Sequence, residues 1–226
     1  MTFSIVARSA DRRQLGVAIA SSSPAVAARC SHAAAGVGAV ASQNITDPSL
    51  GPAVLAALSR GATASAAVRQ CLDATAFAEY RQLLVIAREG APIVRTGTHA
   101  LGTAASATGA DAAAAGNLLA DRSVPAAMIA AFEAASGHFG TRLLHALTAA
   151  LVLGGEAGPI HSAGLLIVRE VPWPIVDLRV DWAEDDPVAE LNSAWAIYAP
   201  QIEDYVRRAL DPAHAPDFDV PHGGSR

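Results

Sequence analysis

A threonine directly after the first methionine opens one chemical possibility. With Met1 removed, the chain begins Thr-Phe-Ser, and one residue carries both a hydroxyl nucleophile and the free α-amine. An α-amine titrates near ~7.7–8.0 in model compounds, so a neutral fraction exists at physiological pH. That amine can take the hydroxyl proton, directly or through water. All 16 cationic side chains are arginine, which excludes a lysine base or Schiff base and suits an amine acting as its own base. The plain alternative keeps Met1 and makes Thr2 an ordinary edge-strand residue.

The elements that would position Thr2 follow from apolar patterning. Residues 2–8 (TFSIVAR) and 14–21 (QLGVAIAS) predict an antiparallel hairpin across the polar stretch 9–13. Residues 36–43 (GVGAVASQ) predict a third strand, buried on both faces. Asp47-Pro48 offers a helix start, and helices are expected over 50–59 and 63–72. Strands over 81–87 and 92–96 form a second hairpin, and 98–117, rich in small residues, predicts short strands and loops. Helices over 124–135 and 140–153, strands over 162–169 and 175–181, and one helix over 188–210 behind Asp186-Pro187 complete the order. Grouped strands and grouped helices argue against a βαβ parallel sheet. Two antiparallel sheets facing each other, with helices outside both, are expected: an α+β chain forming one domain over 1–210, with a disordered tail over 211–226.

Several segments in combination resemble a known family. They are TFSIVAR, LGVAIAS at 15–21, AGVGAVASQ at 35–43, GP at 51–52, GN at 116–117, the GG…SA…LLIV segment at 154–168, DLRVD at 177–181 and PVAEL at 187–191. Together they resemble domain-of-unknown-function family 1028, a prokaryotic group similar in fold to N-terminal-nucleophile (Ntn) hydrolases, over roughly residues 2–195. The resemblance implies a four-layer α/β/β/α sandwich. It marks Thr2, Ser4, Gln43, Asn117, Asp177, Arg179 and Asp181, with Thr2 as nucleophile. Ser4 shares the strand face of Thr2 and either relays a proton or bonds the neighbouring strand. Gln43 and Asn44 end a strand, where their amides either donate to an oxyanion or form a turn. Asn117 is either a substrate contact or a turn residue. Asp177, Arg179 and Asp181 share one strand face and either hold a charged substrate group or form a salt-bridge ladder.

This chain departs from the family pattern twice. After Gly154-Gly155 the family carries an aspartate, a basic pair, glycine and glutamine; here the run is Glu156 to His161, so the basic residues are missing and His161 replaces the glutamine. The run Ser21–Ser23 is smaller than usual for the family. Either change implies a different substrate or lost activity. His161, just before Ser162, is a candidate base, although a lone histidine is commonly structural.

Composition bounds the rest. A net charge of −5 without a basic cluster gives no support for nucleic-acid binding. The histidines lack paired metal spacing, so no metal and no cofactor is expected. Cys30 and Cys71 are too few for a disulfide framework and are expected as buried free thiols. No signal peptide or membrane span is legible, which sets the cytoplasm as the expected compartment. There is no G-x-S-x-G elbow, and Gly36-Val37-Gly38 is too short for a phosphate loop. The leading expectation is a hydrolase of a small amide or other non-peptide C–N bond, acting on a small molecule as a homo-oligomer. The rival is a non-catalytic ligand-binding or assembly protein on the same scaffold.

Overall fold

The computed structural model describes residues 2–216. Its ten strands form two antiparallel sheets. The first runs β10 (Val176–Val180), β9 (Ser162–Val168), β2 (Leu15–Ser21), β1 (Thr2–Arg8), β8 (Ala112–Asn117), β7 (Ala105–Thr108). The second runs β3 (Ser31–Ala34), β4 (Gly38–Asn44), β5 (Arg81–Ala87), β6 (Ile93–Thr96). Strand β1 therefore lies inside its sheet, between β2 and β8, and Thr2 is not an edge residue.

The period of two along a strand sorts side chains between two cores. Phe3, Ile5 and Ala7 pack with Ala112, Ala114, Leu165 and Ile167 beneath α4 (Val124–Ala134), α5 (Phe139–Val152) and α6 (Pro187–Tyr198). The opposite face carries Val6, Leu15, Val17 and Ala113, which cluster with Ala39, Ala41, Leu84 and Ile86 of the second sheet. The far face of that second sheet packs Val40, Leu83 and Val85 against α2 (Leu50–Ser59) and α3 (Ala64–Asp73). Each large side chain removed from water in these cores contributes about 1.5–3 kcal/mol. Small residues set the spacing where elements approach closely. A Cβ on Gly164 would lie 2.4 Å from Ala27 Cβ of α1 (Val26–Cys30), so this helix can rest on β9 only because position 164 is bare.

The expected elements are present with ends shifted by a residue or two, and three differences have physical causes. The helix expected over 188–210 is two helices, α6 and α7 (Ile202–Leu210), joined by a 3₁₀ turn at Ala199–Gln201. Pro200 lies within this joint, where it has no N–H to give an α-helical ladder. Helix α1 and strand β3, not expected from the sequence, occupy residues too few to show a period. Helix α2 spans the expected Leu50–Ser59, but Asp47-Pro48 does not cap it, because Asp47 Oδ1 accepts from Ser49 N at 3.0 Å and Ser49 Oγ at 2.6 Å and closes a turn ahead of the helix. At Asp186 the cap forms as expected, with Oδ1 accepting from Val188 N and Ala189 N at 2.9 Å.

Both cysteines are free; Cys30 is buried, whereas Cys71 is partly exposed on the outer helix α3. No described helix is long and apolar enough to cross a membrane. The tail is described as far as Pro216, whose carbonyl accepts from Arg208 Nε at 3.1 Å; the expectation for the rest falls on 217–226, outside the described residues.

Candidate functional site

The layer between the sheets is apolar through its middle and changes character at both ends. At one end Arg8 is buried, its Nε donating to Asp111 Oδ1 at 2.7 Å and its Nη1 to the carbonyls of Gly90 (2.7 Å) and Ala87 (3.1 Å). At the other end the same strand face presents Ser4 and Thr2. The inward residues one step beyond the apolar ones on β4, β5 and β8 are Gln43, Gln82 and Asn117, all fully buried.

These side chains form one network. Ser4 Oγ donates to Gln43 Oε1 at 2.6 Å. Gln43 Nε2 donates to Gln82 Oε1 (2.8 Å) and Ala115 O (3.3 Å). Gln82 Nε2 donates to Thr96 Oγ1 (3.0 Å) and Gly116 O (3.2 Å). Asn117 Nδ2 reaches Gln82 Oε1 at 3.3 Å, while its Oδ1 is buried without a hydrogen-bond partner among the described residues. Buried amides are tolerated in such a setting only because nearly every donor and acceptor is used.

Thr2 sits at the rim of this network, 5% exposed. It pairs with Asn117 on β8, and its Oγ1 lies 3.2 Å from Ser21 Oγ on β2. Ser21 in turn pairs with Ser162 on β9, so a polar row crosses four strands. The turn after β2 is held to this row: Ser23 N donates to Ser21 Oγ at 3.1 Å, and Ser162 Oγ donates to Ser23 O at 2.6 Å. Beside it lies Glu156, 3% exposed, whose two oxygens accept from Ser22 N at 3.1 and 3.2 Å. Burial pushes the Glu156 carboxyl up to about 7, against the opposing pull of the positive chain terminus, Ser22 and His161.

The chain belongs to family DUF1028. The family of unknown function of that name matches residues 2–191. The crystal structure of protein SPO2555 from Silicibacter pomeroyi, itself assigned to DUF1028, superposes with a TM-score of 0.82 at 32% identity, covering 90% of this chain and 94% of that one. A similarity to Anbu (ancestral beta-subunit) from Yersinia bercovieri, with a TM-score of 0.39 at 12% identity over 96% of this chain and 100% of the other, is too low to bear on the fold. No curated protein matches the sequence significantly.

Within this DUF1028 chain, the residues expected to act together divide into two groups. Thr2, Ser4, Gln43 and Asn117 converge, and His161 borders them through its N–H, which donates to Ser21 O at 2.8 Å. The His161 ring stacks on Trp182 with centroids 4.2 Å apart, and its Nδ1 meets Ala183 O at 2.8 Å. That carbonyl can only accept, so Nδ1 carries a proton in this contact. Asn44 turns away: its Nδ2 donates to Tyr80 O (2.7 Å) and its Oδ1 accepts from Leu101 N (3.0 Å), tying two loops together. Asp177 and Arg179 lie on the exposed edge strand β10, separated from Thr2 by β9 and β2, where Arg179 pairs with Asp181 at 3.2 Å.

Sequence reasoning missed three site residues in the DUF1028 chain. Gln82 had a signal, a polar residue inside the apolar run RQLLVIA. Glu156, the one acid in the small-residue stretch 154–160, was read as a departure from the pattern rather than as a site residue. Ser21 belongs to the Ser21–Ser23 run, which the sequence marks as a departure from the family pattern and not as a partner of Thr2. The backbone also marks the place: Asn44 (φ 75°) and Leu118 (φ 50°), directly after Gln43 and Asn117, are left-handed. A left-handed leucine is costly, and such strain collects at functional sites. Gly116 leaves room chiefly for Leu119, since a Cβ there would lie 2.4 Å from Leu119 Cδ2 and 3.1 Å from Thr2 O. Among the described residues no three His, Cys, Asp or Glu side chains gather as a metal site.

Proposed function

We propose that the chain is an amidohydrolase with the four-layer α/β/β/α sandwich of N-terminal-nucleophile hydrolases, using Thr2 after removal of Met1 on a small amide or other non-peptide C–N bond. The observation that carries the reading is the Thr2 hydroxyl, 3.2 Å from Ser21 Oγ at the polar end of the inter-sheet layer and paired across strands with Asn117. In this reading Thr2 Oγ1 attacks the substrate carbonyl and its proton passes to the α-amine, with Ser21 as the neighbouring hydroxyl. The C–N bond breaks as the leaving nitrogen takes that proton, which leaves an ester on Thr2. Water then adds to the ester, the amine again accepting a proton, and the acid departs. Asn117 Nδ2 makes only a 3.3 Å bond to Gln82, which suits it to donate to the developing oxyanion. Gln43 holds Ser4 in place, and His161 and Glu156 border the approach.

A specific observation favours a second reading, a non-catalytic ligand-binding or assembly protein. The amides of Gln43 and Gln82 are spent on each other and on backbone carbonyls, which is what a structural plug between sheets requires. Two measurements separate the readings. Intact mass decides whether Met1 is removed; quantitative retention blocks this nucleophile. Release of ammonia or amine from a panel of small acyl amides is then compared between wild type and Thr2→Ala. The hydrolase reading expects turnover that disappears in the variant while the fold persists; turnover surviving in Thr2→Ala sinks it.

A further inference from the structure

Glu156 is the one buried carboxylate beside the Thr2 row among the described residues, and the hydrolytic scheme leaves it without a task. It reaches that position through the loop after α5. Ala120 N donates to Gly155 O (3.0 Å) and Ala157 N to Leu118 O (2.8 Å), which lays Glu156 against the end of β8. Its only polar contact among the described residues is the Ser22 N–H, shared by both oxygens. A carboxylate has about four acceptor positions, so one N–H leaves most of them without a partner among the described residues. Ser22 follows Ser21, whose hydroxyl meets Thr2 Oγ1, so the spare capacity adjoins the place where the processed chain begins.

We propose that Glu156 is a positioning residue for the Thr2 α-amine, the two groups sharing one proton in the processed chain. It rests on the reading of Thr2 as the first residue of that chain. In one form the carboxylate faces the α-ammonium. In the other the proton has moved from nitrogen to a carboxyl oxygen, so that the nitrogen lone pair is free and both groups are neutral. The exchange returns the amine to its basic form without releasing a proton to water. The two groups match chemically: the Glu156 carboxyl, pushed up to about 7 by burial, lies close to the ordinary range of an α-amine, about 7.7–8.0. Among the described residues, the titratable group that faces Glu156 is His161, just ahead of β9, and the positive chain terminus pulls on the carboxyl as well. The turn after β2 brings Ser22, and the loop after β8 brings Leu118 and Leu119.

The absence of lysine leaves the α-amine as the sole primary amine of the chain, and prior alkylation of the accessible thiols removes the competing nucleophiles. The full chain, released from a cleavable fusion so that Thr2 is first, is labelled with trinitrobenzenesulfonate across a pH series. In wild type the carboxylate holds the amine protonated to higher pH. The labelling midpoint of Glu156→Gln should therefore fall by about one pH unit, an approximately tenfold gain in reactive amine at neutral pH. Glu156→Asp, which keeps the charge, should stay near wild type. A purely structural role, holding Ser22 N–H, predicts coincident midpoints for wild type and Glu156→Gln, and that result overturns the proposal. If Glu156→Gln does not fold, the wild-type amine is acetylated and the Glu156 carboxyl is titrated by ¹³C NMR. Its midpoint should move up, and an unchanged midpoint overturns the proposal equally. Neither readout needs turnover, so a coupled amine in an inactive protein would sink the hydrolase reading alone.

Discussion

Replacing Glu156 by glutamine should change the pH dependence of stability as well. The carboxyl is 3% exposed, and burial raises it from the ordinary 4.5 to about 7. Below pH 4.5 it is protonated in both the folded and unfolded chain and contributes no difference. Between 4.5 and 7 the folded chain keeps a proton that the unfolded chain has lost, so stability drops as pH rises, and above 7 the loss is complete. At about 1.4 kcal/mol per pH unit, the rise is worth about 3 kcal/mol. Glutamine does not titrate and keeps an oxygen for Ser22 N–H. Glu156→Gln should therefore gain about 3 kcal/mol on wild type between pH 4.5 and pH 8.5. Urea unfolding of both proteins at the two pH values measures this, and the paired difference cancels groups that titrate alike in each. A gap between the proteins that stays constant within about 0.5 kcal/mol would refute the reasoning, because it would mean the carboxyl is solvated.

Three further outcomes are expected from urea or thermal unfolding. Ser4→Ala removes the 2.6 Å donor of a fully buried Gln43 Oε1 and should cost about 1–3 kcal/mol; an unchanged urea midpoint would mean that the network rearranges freely. Arg8→Met keeps the apolar stem but strands Asp111 and the carbonyls of Ala87 and Gly90, with an expected loss of about 3 kcal/mol or more. Asp186→Ala deletes the two cap bonds of α6 and should cost about 1 kcal/mol, a drop in Tm of about 2–4 °C at this chain length.

What the residues determine by themselves is local. Alternation along TFSIVAR assigns Thr2, Ser4, Val6 and Arg8 to one face, because successive Cβ atoms of a strand point to opposite sides. Alternation also ranks Thr2 and Ser4 as partners before any neighbour is known. The order is legible as two antiparallel sheets, since strands come in runs separated by groups of helices and do not alternate with helices one by one. The family is legible too, from motifs spread along most of the chain. Register is not. That Gln43 and Gln82 meet Asn117 depends on how β4 and β5 lie against β1 and β8, and a slip of one residue would turn each amide to the opposite face. The roles of Asn44 and Gln43, adjacent and chemically alike, diverge because Asn44 is left-handed and binds loop carbonyls while Gln43 remains in the strand. Asp177 and Arg179 obey the expected period but lie exposed on the edge strand of a six-stranded sheet whose partner has four strands. Glu156 shows the limit most plainly. It is 154 positions from Thr2 in a stretch without periodicity, and only the packing of a loop against the end of β8 brings its carboxyl to the start of the chain.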